Sequence, residues 1–250
     1  AARRRVARCR TALIAFLLLS PLSAGASCAG GIAFLKPSDR AFAILPFFVL
    51  PVAFLGAAWL ARSSLKVART ELAVAVWADV NGLTFRRKAG GTPAAERVYR
   101  MVGDVRWTLH MTGDVGGTRV ELVNRGWKLD IPEVVEASTD QTEAVVIGVL
   151  PTALDFVVAP RKEDGSIHDL TTGDEVRYDH DPEFDRAFVV RAARAVEFPD
   201  RFVNRCLKQP GLWAVARGGS LVVFRLNHVC TPNGYGDLLG HALSLAAALV

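Results

Sequence analysis

The sequence lacks the residue spacings that hold metal ions or disulfide frameworks. Four of its 250 residues are cysteine, and none forms a C-x-x-C pair. No spacing of histidine with cysteine matches a zinc site. We therefore predict no metal ligands, and we expect Cys206 and Cys230 to be free, buried thiols in a reducing compartment.

Catalytic motifs are missing as well. The chain contains neither H-E-x-x-H nor G-x-S-x-G, which mark zinc peptidases and α/β hydrolases. The glycine-rich segment 113–117 has no phosphate-loop pattern and precedes no predicted helix, so it predicts a β-hairpin. We predict no catalytic residue, no cofactor-binding residue and no cofactor. An alternative is a membrane-associated hydrolase using His168, Asp169, His180 or Asp181, which the fold would have to bring together.

The acidic segment 174–185 does not have the spacing of a calcium loop. Its carboxylates and His180 could in principle hold a divalent metal, but Arg177 and Arg186 lie close by. The segment is therefore interpreted as a solvated loop.

A basic surface for nucleic acid is also not indicated, although the formal net charge of the whole chain is +5. Five arginines precede residue 11, whereas residues 71–250 carry 20 Lys and Arg against 24 Asp and Glu. The basic excess therefore indicates membrane topology rather than phosphate binding, and we expect no nucleic-acid partner.

What the sequence does contain is two long apolar runs, at about 11–35 and 41–60, separated by five mostly polar residues. The second run has no charged residue and is about as long as a helix needs to cross a bilayer. Pro46 and Pro51 are tolerated in such helices, and Trp59 suits the membrane interface. Residues 1–60 thus predict a basic N-terminus and a transmembrane hairpin, with the lipid bilayer as partner.

The first run has other interpretations. Its basic start, short apolar core and small residues near Ala26 also describe a cleaved signal peptide, and Cys28 raises the possibility of an exported lipoprotein. With either a retained helix or a cleaved signal, the positive-inside rule and the cations Arg62, Lys66 and Arg69 place the remainder in the cytoplasm. The expected location is the inner or plasma membrane, with a multi-pass topology.

The remainder predicts an α+β domain at 83–250, joined to the membrane part by a helix over 61–82 that stops at Asn81–Gly82. Its sheet is expected to be mainly antiparallel, because glycine turns at 113–117 and 217–220 separate strand-like runs. Further strands are predicted at 143–150, 155–160 and 188–192, and helices at 195–208 and 237–250. Asp237 is the expected N-cap of the last helix.

The segment 181–192, with Phe184, Phe188 and Val190, resembles a run found in bacterial membrane proteins that have two N-terminal transmembrane helices and a cytoplasmic α+β domain of unknown function. Gly218–Gly219 is similar to the glycine hairpin of that family. The intervening helix departs from the family pattern, because Phe198–Pro199 only loosely replaces a Leu-rich segment with a proline. The resemblance implies the two-part architecture and no activity. From the residues themselves, Phe184 and Phe188 are expected to anchor the core.

The leading functional hypothesis is a membrane-anchored, non-enzymatic cytoplasmic module that binds a protein partner or supports the envelope. The alternatives are the membrane-associated hydrolase and the exported, lipoprotein or signal-bearing protein described above.

Overall fold

The computed structural model describes residues 40–87, 92–98, 104–129, 137–166 and 173–250. The chain divides into two compact units, residues 1–76 and 77–250. The first predicted membrane segment, its signal-peptide alternative and Cys28 lie outside the described residues.

The first described element is a long helix, α1 (Arg40–Val80). The second apolar run and the predicted connecting helix are both helical within it. Among the described residues, no helix has the length and apolar character needed to cross a membrane. The side chains of residues 40–54, most of the second apolar run, are not described, so the membrane hairpin stays a prediction. The helix ends where the sequence indicates, because Gly82 has a φ of +70°, a conformation that favours glycine.

Residues 77–250 form an α+β unit around one sheet, so the predicted class is confirmed for this part of the chain. Every strand pairing in the described sheet is antiparallel. The order of its nine strands is β1-β2-β3-β4-β9-β8-β5-β7-β6. The strands are β1 (Leu83–Arg86), β2 (Asp104–Val115), β3 (Thr118–Leu129), β4 (Ala137–Val146), β5 (Phe156–Pro160), β6 (Asp174–Val176), β7 (Phe188–Ala192), β8 (Trp213–Arg217) and β9 (Ser220–Phe224).

The two glycine hairpins lie where the sequence predicts them. Gly116 and Gly117 have φ values of +58° and +79°, and Gly218 and Gly219 have +58° and +80°. Two successive positive φ values are what a two-residue turn needs to match the twist of its strands. Side chains at both positions would strain the backbone, so these glycines fix the β2–β3 and β8–β9 registers.

Short helices and one long helix cover the sheet. They are α2 (Ala94–Val98), α3 (Pro182–Ala187), α4 (Asp200–Leu207) and α5 (Pro232–Leu249), with a 3₁₀ helix at Arg161–Ser166. One face, which we call the α2 face, carries Val123, Val145 and Trp213 in a buried cluster with the alanines of α2. The opposite face, the α5 face, lies beneath α4 and α5. Residues alternate between these faces along each strand because side chains in a strand point to opposite sides.

An aromatic cluster fills the α5 face near β5 and β7. Its rings pack edge-on, tilted or stacked against one another, with centroids 4.6 to 6.2 Å apart. Each is at least nine-tenths buried, and burial of several large rings supplies much of the apolar area that stabilises the unit. Phe184 and Phe188 belong to it, which confirms them as core anchors. The members are Phe156, Tyr178, Phe184, Phe188, Phe198 and Phe202.

Several predicted boundaries are wrong. The last helix begins at Pro232 and not at Asp237, and its N-cap is Thr231. Proline suits the first helical turn because its missing N–H needs no partner there. Gly234 and Gly236 have low helix propensity, so the sequence does not indicate a helix at this turn. The helix predicted at 195–208 spans Asp200–Leu207. The strand predicted at 143–150 runs from Ala137 to Val146.

Candidate functional site

The residues of the hydrolase alternative do not form a site in the described part of the chain. His168 and Asp169 lie outside the described residues. The Asp181 carboxylate accepts a hydrogen bond of 3.0 Å from the Phe184 backbone N–H and caps α3. The exposed His180 ring lies 5.3 Å from the ring of Tyr178. Both described residues thus have local structural contacts.

The acidic segment 174–185 is more ordered than the solvated loop that the sequence predicts. It contains β6 and most of α3, and two of its six carboxylates, Glu175 and Asp185, lie close to arginines. Arg161 lies 3.2 Å from Glu175, and Arg177 lies 3.5 Å from Asp185. Among the described residues, no group of three or more His, Cys, Asp or Glu side chains is arranged to hold a metal ion.

The best candidate site is a groove between the end of β9, the turn after α4 and one side of α5. It consists of two adjoining cavities of about 200 and 260 Å³, which share Leu212 and His241. The first is also lined by Arg225, His228, Cys230, Gly234, Asp237 and Leu238. The second is also lined by Arg205, Lys208, Gln209, Ser244 and Leu245. We call this the basic groove.

The turn that carries Arg225, His228 and Cys230 is fixed to the sheet. Thr142 of β4 donates its backbone N–H to the carbonyl of His228 at 2.8 Å. The hydroxyl of Thr142 accepts the Cys230 backbone N–H at 2.8 Å. It also donates to the Asn124 side-chain oxygen at 2.8 Å. These hydrogen bonds connect the 225–230 turn to Thr142 of β4 and, through Thr142, to Asn124 of β3.

The same turn contains a backbone conformation that is uncommon for a residue with a side chain. Asn227 has a φ of +54°, and it is the one non-glycine residue of the described chain with a positive φ. Asparagine tolerates this left-handed conformation better than most residues, but it still costs free energy. The conformation reverses the chain between Arg225 and His228, so that both line the basic groove.

The opposite wall of the basic groove is held by contacts between α4 and α5. Arg205 donates from Nη1 to the carbonyl of Ser244. Arg201 donates from Nε to the carbonyl of Ala248 at 2.8 Å. Arg225 directly follows β9, and its Nη2 donates to Oε1 of Gln209 at 2.9 Å. Each guanidinium has five N–H donors, so these bonds leave further donors on Arg205 and Arg225.

Cations dominate the electrostatics of the basic groove. Arg205, Lys208 and Arg225 line it together with two histidines, and Asp237 is the one carboxylate among its lining residues. The groove is thus a concentrated positive region on a unit whose carboxylates outnumber its cations. Such local fields attract anions even when the net charge of the domain is negative.

The thiol of Cys230 lies in the basic groove, but its surroundings do not activate it as a nucleophile. Burial raises its pKa above the ordinary value, and the charge of Asp237 raises it as well; the Thr142 hydrogen bond and the charge of Arg225 lower it by less. A raised pKa keeps the thiol protonated at neutral pH, and the protonated form is a poor nucleophile. Cys230 is half-buried rather than buried as predicted, whereas Cys206 is buried as predicted and both are free.

A second polar cluster lies on the α2 face and is almost fully buried. Arg125 Nε lies 3.1 Å from Oε1 of Glu143, and both side chains are at most 1% exposed. Gln141 donates to the same oxygen of Glu143 at 2.7 Å. The guanidinium also lies 4.6 Å from the centre of the Trp107 ring. A buried ion pair enclosed in this way is a structural element, since it has little access to a ligand.

A neighbouring carboxylate in the same cluster positions α2. Glu121 accepts the backbone N–H of Ala94 at 2.8 Å, and its other oxygen lies 2.7 Å from Nε2 of His110. Ala94 is the first residue of α2, so its N–H has no partner within the helix. Glu121 therefore connects a strand of the sheet to the helix that covers it.

Sequence reasoning missed the basic groove, although one signal for it was available. Residues 201–250 contain five Lys or Arg and a single acidic residue, in a domain that is otherwise acidic. The signal is weak because the cations are 3 to 20 positions apart along the chain and converge only through the packing of α4 on α5 and of α5 on β9.

The comparisons with known proteins do not assign the chain to a family. No protein-family model matches it, and neither the curated proteins nor the solved structures contain a significant match. The resemblance in segment 181–192 therefore stays a prediction, and the function must be argued from the residues described above.

Proposed function

We propose that this chain is a membrane-anchored protein whose C-terminal α+β unit acts as a non-enzymatic interaction module at the cytoplasmic membrane surface. The observation that carries the proposal is the change along α1 from a charge-free apolar run to a segment with three exposed cations. Leu55, Trp59 and Leu60 are 71%, 68% and 60% exposed. Large apolar side chains at such exposure are a signature of a surface that contacts lipid or protein.

Directly after this apolar part, α1 becomes basic. Arg62, Lys66 and Arg69 are exposed. They continue the stripe of Leu55 and Trp59, because positions spaced by three and four residues share one side of a helix. A tryptophan followed within a turn by cations is typical of the cytoplasmic boundary of a membrane helix, where the ring and the cations meet the headgroups.

The interaction role is supported by the way the unit uses its ionisable side chains. Asp181, Glu121, Glu143 and Asp185 all contact backbone or basic groups of the fold itself. Carboxylates used in this way stabilise structure and are not positioned for acid–base chemistry on a substrate. We therefore favour binding over catalysis.

Anchoring and topology can be tested by thiol labelling of added cysteines. Trp59→Cys and the matched control Val80→Cys place a thiol at exposed positions of the same helix, since Val80 is 78% exposed. A membrane-impermeant maleimide is applied to intact cells and to inside-out membrane vesicles, and each labelled peptide is quantified by mass spectrometry. We expect Val80→Cys to react only in inside-out vesicles and Trp59→Cys to react slowly in both.

Two results would contradict the proposal. If Trp59→Cys reacted as fast as Val80→Cys, this end of the helix would be in water and not in lipid. If Val80→Cys reacted in intact cells, the α+β unit would be outside the cytoplasm. The interaction role is tested separately by crosslinking in native membranes: recovering no partner while the purified chain turned over a substrate would replace binding with catalysis.

A further inference from the structure

We propose that the basic groove binds a phosphate-bearing ligand, with the phosphate near His241 and the organic part on the apolar floor. The groove lies wholly within the unit 77–250. The proposal therefore goes beyond membrane anchoring and does not depend on it.

The distribution of charge in the groove favours a phosphate over a carboxylate. Arg225 lines one cavity, Arg205 and Lys208 line the other, and His241 belongs to both. Against the one lining carboxylate, Asp237, the three permanent cations leave two positive charges. Two positive charges exceed what a carboxylate ligand needs and match a phosphate monoester, which carries nearly two negative charges and three acceptor oxygens. Arginine and lysine are the side chains that proteins most often use for this anion.

The shape of the groove supports the same ligand class. Leu212, Leu238 and Leu245 are buried, and all three line it. An apolar floor beneath a cationic rim is typical of sites that take an organic molecule with one charged group. The cavities of about 200 and 260 Å³ suit a small phosphate ester or the headgroup region of a phospholipid.

Two parts of the groove are held in place before any ligand arrives. The Arg225–Cys230 turn is fixed through Thr142, and the Arg205 guanidinium is oriented by the Ser244 carbonyl. Side chains held in place lose less conformational entropy on binding, so a preorganised cluster binds an anion more tightly than flexible surface lysines do.

Cys230 supplies a built-in reporter, because it lines the groove and is free. We would measure the rate at which the neutral reagent N-ethylmaleimide alkylates Cys230 in the full chain, held in non-ionic detergent, by mass spectrometry of its peptide. The reaction is run at about pH 9, because the raised pKa of this thiol leaves little thiolate at neutral pH. With a Kd of about 1 mM, about 10 mM inorganic phosphate would fill nine-tenths of the sites and slow the reaction about tenfold. Chloride at the same ionic strength is the control for screening.

Variants identify the cations responsible. Lys208→Gln and Arg225→Gln should each reduce the protection by phosphate several-fold, whereas Arg194→Gln, the same charge change at an exposed position outside the groove, should leave it unchanged. Asp237→Asn removes the carboxylate that repels the anion, so it should increase protection at low phosphate. Because Arg225 and Asp237 also influence the Cys230 pKa, each rate is compared with and without phosphate in the same variant.

The two sources of phosphate are separated by two further probes. Glycerol 3-phosphate in detergent tests a soluble ester, and nanodiscs of phosphatidylcholine with or without phosphatidic acid test a lipid headgroup. Protection by the soluble ester alone assigns a soluble ligand, and protection by phosphatidic acid alone assigns a headgroup. Equal protection by chloride, no protection by any of the three probes, or a loss of protection in Arg194→Gln as large as in Lys208→Gln would overturn the proposal.

Discussion

The buried ion pair of Arg125 with Glu143 allows a sharp prediction about stability. Glu143→Ala removes a carboxylate that is 0% exposed and leaves the guanidinium of Arg125, 1% exposed, without that counter-charge. Breaking a buried pair from one side typically costs about 3–5 kcal/mol, because the remaining charge stays desolvated. We therefore expect Glu143→Ala to lower the free energy of unfolding by about 4 kcal/mol.

Removing both charges together should cost far less. Arg125→Met with Glu143→Leu replaces the pair by apolar side chains of similar volume, and such replacements are often neutral or stabilising. The Arg125 guanidinium also stacks on Trp107 at 4.6 Å, and the loss of this cation–π contact should leave a residual cost of about 1 kcal/mol. The double variant should thus be about 3 kcal/mol more stable than Glu143→Ala.

The assay is urea unfolding of the full chain in non-ionic detergent, followed by circular dichroism, with Glu183→Ala as the control at an exposed position. The control should change the free energy of unfolding by less than about 0.5 kcal/mol. If Glu143→Ala cost no more than about 1 kcal/mol, or if the double variant were as unstable as Glu143→Ala, our assignment of a paired buried charge would be refuted.

Three further predictions concern single side chains. Tyr178→Phe removes the hydroxyl that donates to the Val196 carbonyl and should lower the free energy of unfolding by about 1 kcal/mol. Tyr178→Ala also leaves a cavity in the aromatic cluster and should lower it by about 3–5 kcal/mol, measured by thermal unfolding. Equal losses in the two variants would contradict this division. Gly113→Ala places a Cβ 2.7 Å from a backbone oxygen and should lower the melting temperature. Gly240→Ala, in open space on α5, should raise the melting temperature slightly, because alanine favours a helix more than glycine does. The reverse order would show that β1 and β2 pack less closely than described. Burial raises the Cys206 pKa to about 12, so the folded state holds this proton more tightly than the unfolded state does. The free energy of unfolding should therefore fall as the pH rises from about 9, and Cys206→Ala should make that fall less steep. An unchanged pH profile in the variant would contradict this prediction.

The sequence predicts much of the fold because several of its signals are local. Pairs of glycines at Gly116–Gly117 and Gly218–Gly219 can adopt positive φ, so they indicate hairpins without any knowledge of distant contacts. Strand β7 is found at the predicted residues, because a run of β-branched and aromatic residues between polar segments favours a strand wherever it packs. The first turn of α5 was missed because glycines disfavour a helix locally and only packing of Tyr235 and Leu238 on the sheet compensates for that cost.

The sequence alone determined the segregation of charge, the charge-free run at 41–60 and the antiparallel character of the sheet, since each follows from composition or from neighbouring residues. Only the tertiary structure decided which ionisable side chains meet. Glu143 and Arg125 are 18 positions apart and pair through the register of β3 with β4, and Lys208 and His241 are 33 positions apart and line one cavity through the packing of α4 on α5. Electrostatic interactions between side chains depend on distances in space, and the chain fixes those distances only after its strands and helices have packed.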